Sequence, residues 1–114
     1  MEMIGKKISI NRGNIATLRL KRKNGNFEVG DEIKFSIVNM FDYNDVKLQK
    51  TITIDRTSQF AYIELKPEDT RFDEIPYDGV EYRYEILYNG NRTLIGANGI
   101  DNNVIVIYAE AGDK

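Results

Sequence analysis

From Val80 to Tyr88 every second residue is apolar or aromatic: Val80, Tyr82, Tyr84, Ile86 and Tyr88, set against Glu81, Arg83 and Glu85. Side chains alternate between the two faces of a β-strand, so this stretch buries one face and wets the other when it is extended. It is preceded by Leu65-Lys-Pro-Glu-Asp-Thr-Arg-Phe72. There Pro67 suits the first position of a helical turn and Glu68 and Asp69 suit its positive end, which predicts a short helical turn near residues 67–72. A strand, one helical turn and a return strand make the corner at which a chain passes between the two sheets of a β-sandwich.

Period-two patterning runs through most of the remaining chain. Ile8 and Ile10 open it, and Asn11-Arg-Gly-Asn14 supplies turn formers. Ala16, Leu18 and Leu20 then share one face while Thr17, Arg19 and Lys21 share the other, and Ile33, Phe35 and Ile37 form the inward set of a further strand. Asn39-Met-Phe-Asp-Tyr-Asn-Asp45 reads as a polar loop carrying two aromatics. A strand begins at Val46 and extends toward Ile54, with Ile52 and Ile54 inward, and Ala61, Ile63 and Leu65 line another. Asn89-Gly90 after the long strand is a hairpin signal because both residue types accept positive φ. Gly96 and Gly99 interrupt the last run before Val104-Ile-Val-Ile-Tyr108, as a bulge or kink would, and the tail from Ala109 to Lys114 is patternless and expected to fray. Turn signals every eight to twelve residues predict an all-β chain of seven to eight strands, an immunoglobulin-like antiparallel β-sandwich. No linker divides it, so residues 1–114 are read as a single domain with an ordered core of about 4–108.

Composition narrows the chemistry. The chain has neither cysteine nor histidine. That removes disulfides, thiolate nucleophiles and zinc-thiolate sites, and also the side chain most used for proton transfer near neutral pH. A formal charge of −2 supplies no field to draw nucleic acid or anionic lipid. The start has no apolar h-region, and no stretch approaches a membrane span, so the expectation is a chain with no signal peptide and no membrane partner.

Local clusters are read as structural. Asp42, Asn44 and Asp45 place three oxygen ligands close together, but a calcium loop also needs a bend glycine and a closing Glu, so a solvated turn is expected there and at Asp101-Asn-Asn103. Glu81 and Glu85 share the outward face of one strand with Arg83, an unsuitable setting for paired catalytic carboxylates. Arg19, Lys21, Arg22 and Lys23 make a basic patch without interleaved aromatics in sequence, and no nucleic-acid site is assigned to it. The expectation is therefore a non-enzyme with no catalytic, metal-binding or cofactor-binding residues and no cofactor. Tyrosine is the residue type that could carry function. With seven Tyr and five Phe, Tyr82 and Tyr84 are expected in the core, whereas Tyr43, Tyr62, Tyr77, Tyr88 and Tyr108 cannot all be inside. Phe41, Tyr43 and Tyr77 are the candidate interface residues.

The corner Leu65 to Thr70, with Asp78-Gly-Val-Glu-Tyr82, resembles the one before the cysteine strand of immunoglobulin variable domains. Without paired cysteines and a core tryptophan, antibody-type identity is rejected and the sandwich corner remains. A wider likeness is carried by Arg12-Gly-Asn-Ile-Ala-Thr-Leu18, Gly30-Asp-Glu-Ile-Lys-Phe35, Ile63-Glu-Leu65 with Asp69-Thr70, Gly79-Val-Glu-Tyr-Arg-Tyr-Glu-Ile86 and Thr93-Leu-Ile-Gly96 with Ile100. Over residues 8 to 107 the chain resembles small β-sandwich proteins of phages and prophages of Gram-positive bacteria, which occur alone or as the N-terminal domain of baseplate upper proteins. Ala97-Asn98-Gly99 departs from that pattern, which usually has an aromatic after the glycine. The resemblance implies a virion structural or adaptor protein working by protein–protein interaction with other tail proteins or with itself as a homo-oligomer, in the virion or in the host cytoplasm during assembly. The alternative from the residues is a carbohydrate-binding module using exposed Tyr and Phe.

Overall fold

The computed structural model describes residues 8–22, 25–89, 92–95 and 104–110. Among the described residues, eight strands and one 3-10 turn follow in the order β1 (Ile8–Asn11), β2 (Ala16–Lys21), β3 (Glu32–Asn39), β4 (Val46–Thr53), β5 (Phe60–Leu65), the turn Pro67–Thr70, β6 (Val80–Tyr88), β7 (Arg92–Ile95) and β8 (Val104–Tyr108). The larger sheet has the order β1-β8-β6-β3-β4, with β7 also on β6; the smaller is β2-β5. The chain is all-β, as its alternation predicts. β7 pairs with the end of β6 and β8 with its beginning, so the run interrupted at Gly96 and Gly99 continues along one partner in two pieces; the interruption itself lies outside the described residues. The candidate cluster at 101–103 and the expected ordered residues 4–7 lie outside them as well.

The core forms where the inner faces of the two sheets meet. Leu20, Ala61, Ile63 and Leu65 come from the small sheet, and Ile33, Phe35, Ile37, Tyr82, Tyr84, Ile86, Tyr88, Ile105 and Ile107 from the large one. Phe35 and Tyr84 meet at its centre with ring centroids 5.9 Å apart. Phe27, completely buried before β3, packs edge-on against Tyr88, which closes the core at that end. Tyr88 is thus inside, while Tyr43, Tyr62, Tyr77 and Tyr108 are exposed.

Four features correct or extend the reading by periodicity. The antiparallel pairing holds for five of the six strand pairings among the described residues, but β1 lies parallel to β8, Ile8 opposite Ile105. A parallel pair needs a crossover, and here the crossover is almost the whole domain. Second, the inward face of β4, expected to hold Ile52 and Ile54, also carries Leu48 and Lys50, with Lys50 in register with Phe35; Ile54 is buried just beyond the strand. Third, the helical turn stops at Thr70, whose buried hydroxyl accepts the Gly13 N–H at 2.7 Å. Fourth, the expected fraying does not include Glu110, which pairs with Arg71 at 2.6 Å and with Arg12 at 3.8 Å.

Candidate interaction site

Strand register places the candidate residues. Asn39 at the end of β3 lies opposite Tyr82 near the start of β6, so the β3–β4 loop and the segment entering β6 share one end of the sandwich. Phe41 and Tyr43 are on the first and Tyr77 is on the second. Because Asn11 pairs with Tyr108, the β1–β2 turn with Ile15 and the end of β8 come to the same end. Phe41 is 95% exposed, Tyr77 82%, Ile15 71%, and Tyr43, Val46 and Tyr108 are also exposed. Water meets large apolar side chains at this end far more than at the other, where Val29 is the comparable residue among those described.

The loops beneath these side chains are braced by a polar network. The β3–β4 register shifts between Ile37 and Val38, leaving Lys47 as the extra residue of a bulge. Its ammonium lies 3.2 Å from Asp45 Oδ2 and 3.3 Å from Asp73 Oδ2, tying the loop of Phe41 and Tyr43 to the segment that leads to Tyr77. The hydrogen bond to Asp45 raises the Lys47 pKa above the ordinary lysine value; desolvation opposes this, and Asp73 adds to it. The Tyr82 hydroxyl donates to Asp73 Oδ2 at 2.9 Å, its ring standing edge-on to Phe72 at 5.3 Å. Burial, then the Asp73 bond and charge, push that hydroxyl far above the usual tyrosine range. Arg12 Nε donates to the Asp73 carbonyl at 2.9 Å, bringing the β1–β2 turn into the same network. Within the β3–β4 loop, Asp42 accepts the Asn44 N–H and Asn39 Oδ1 accepts the Phe41 N–H at 2.8 Å. These side chains make turns, as short polar residues do. Among the described residues no group of three Asp or Glu is placed to hold a metal ion, and no helix is long and apolar enough to cross a membrane.

Gly79 sets the last turn before β6. Its φ of +85° is one that side chains rarely adopt, and a Cβ would lie 2.9 Å from the Tyr108 ring. The glycine therefore lets the Tyr108 ring come close to the turn that follows Tyr77.

A second surface was not legible in the sequence. Register sets Arg19 of β2 opposite Tyr62 of β5 and Lys21 opposite Phe60, all on the outer face of the small sheet. The Arg19 guanidinium sits 4.8 Å from the Phe60 ring centroid, a cation–π geometry, and Tyr62 is 57% exposed. The basic run that lacks aromatics along the chain thus acquires two from the neighbouring strand. Arg22 faces the other way, over the Tyr88 ring at 5.5 Å, so the patch is divided between two faces. Cross-strand pairing was the missing signal, and it cannot be read from either segment alone.

Compared with known proteins, the chain matches no family model and no curated protein sequence.

Proposed function

We propose that this chain is a non-enzymatic structural or adaptor component of a phage or prophage tail or baseplate, an immunoglobulin-like sandwich that works by protein–protein assembly through the end carrying Phe41, Tyr43 and Tyr77. One observation carries the assembly reading: three chain-distant loops bring exposed aromatic and aliphatic side chains to a single end whose backbone is pinned by Lys47, Asp73 and Tyr82. Exposed aromatics on braced loops are what a docking surface needs, since the bracing lowers the backbone part of the conformational cost of binding. The phage assignment is supported by the family resemblance of residues 8 to 107. The immunoglobulin-like reading is supported by the sheet order, a strand pair stacked on a sheet in which the first and last strands run side by side.

A sugar platform calls for a row of open rings on one sheet face. Of the two aromatics on the outer face of the small sheet, Phe60 is covered by Arg19, and the most exposed rings are on loops. Assembly is therefore the preferred function. Mass spectrometry of purified particles tests it: the chain is expected among the virion proteins, encoded beside tail, holin or lysin-type genes, and is lost from particles when Phe41, Tyr43 and Tyr77 are all changed to Ala. Particles that lack the wild-type chain, or a gene neighbourhood without such genes, overturn it.

A further inference from the structure

The two surfaces described above have opposite charge. At the aromatic end, Asp42, Glu68, Glu74 and Asp78 are exposed and make no ion pair among the described residues. The bases Arg12, Lys47 and Arg71 of that end are each engaged by carboxylates of the same end, while Lys66 makes no ion pair among the described residues. On the small sheet's outer face the situation is reversed. Arg19 and Lys21 make no ion pair among the described residues and stand beside Phe60 and Tyr62, with Glu64 toward the far end of the same face.

We propose that the occupant of the acidic aromatic end is a second copy of this chain, docked by its basic outer face at Arg19, Lys21, Phe60 and Tyr62. One chain carries both halves of a complementary pair, each half combining exposed aromatic surface with an excess of unpaired charge, acidic at the end and basic on the face. Two acidic ends placed together would repel, which disfavours a twofold contact of end on end. End on face is heterologous: each copy that docks leaves one free end and one free face, so association closes into a ring or continues as a filament. The inference rests on the assembly reading only in using the same aromatic end, and it specifies the partner that reading leaves open.

Light scattering coupled to size exclusion tests it with the whole chain. The wild type is expected to rise in mass with concentration, to at least about twice the 13.1 kDa chain at low salt, and to return to monomer at high salt as the charges are screened. The Phe41→Ala/Tyr77→Ala variant keeps only the face and the Arg19→Ala/Tyr62→Ala variant keeps only the end; all four side chains are exposed, so both are expected to melt close to the wild type. Each alone is expected to be monomeric, and a mixture is expected to stop at a dimer of one of each. A wild type that stays monomeric at every concentration, a mixture that does not associate, or a single variant that still self-associates overturns the proposal. Monomeric behaviour leaves incorporation into particles untouched, and absence from particles leaves self-association untouched.

Discussion

Lys50 of β4 turns inward and places its ammonium 2.6 Å from Asp69 Oδ2, the same oxygen that accepts the Lys66 N–H at 2.7 Å and so caps the 3-10 turn. The ammonium also donates to the Glu64 carbonyl at 2.9 Å. One cation thereby links the edge of the large sheet, the edge of the small sheet and the corner between β5 and β6. It also covers a backbone acceptor on a strand edge that would otherwise be open to another chain.

Asp69→Ala removes the cap and leaves Lys50 without its counter-charge. A loss of about 1–2 kcal/mol is expected, the usual magnitude for a lost cap, read from urea unfolding at neutral pH. Lys50→Met keeps the inward stem and loses only the charged contacts, so a smaller loss is expected from it than from Asp69→Ala.

Thr70→Val is nearly isosteric and leaves the Gly13 N–H without the acceptor it has at 2.7 Å. An unsatisfied donor beside a buried residue costs about 1–3 kcal/mol. Thermal melting should fall accordingly, whereas Thr70→Ser, which keeps the hydroxyl, should lose less.

Gly79→Ala forces a side chain into a φ of +85° and against Tyr108. The conformational penalty alone is about 1–2 kcal/mol, and the ring must also move. A drop in melting temperature is expected, accompanied by a change in near-ultraviolet circular dichroism from the displaced tyrosine.

Acid should weaken the fold through Asp31 and Asp69. At both, burial works against the charged form. It is outweighed at Asp31 by hydrogen bonds from Tyr88, the Glu28 N–H and Asn89 together with the Arg22 charge, and at Asp69 by Lys50 and Lys66. Each carboxyl is thus held below its ordinary 3.8, so near and below that pH the unfolded chain binds more protons than the folded one. Stability from these groups is complete above the unfolded value and is lost as pH falls through the folded values. Urea midpoints should therefore fall steeply on acidification below 3.8 and less steeply in an Asp31→Asn/Asp69→Asn variant, which starts from a lower midpoint at neutral pH.

Strand type and facing were legible wherever one segment determines them. Ile33, Phe35 and Ile37, and Tyr82, Tyr84, Ile86 and Tyr88, face inward as their spacing requires, because period two is a property of a single strand. The exposure of Phe41 and Tyr77 followed from the polar turn formers around them. What two segments determine together was not legible. Lys50 shares the face of Ile52 by spacing alone, but that its charge meets Asp69 across the core edge depends on how β4 and the corner after β5 come together. Phe60 and Tyr62 join Arg19 and Lys21 only once β2 and β5 are paired, and the gathering of Phe41, Tyr43 and Tyr77 at one end needs the whole topology.

The parallel pairing of Ile8 with Ile105 has a kinetic consequence. The partner of β1 is β8, which follows every other described strand in the chain, so β1 cannot dock there until β8 has been made. Of the six described pairings this one closes the longest stretch of chain, and the entropy of that closure is lost before the contact repays it. The edge of β8 that β1 will cover is therefore the last part of the large sheet to be sealed. A nascent or partly folded chain carries it open, and that late edge is where chains would join wrongly if folding were interrupted.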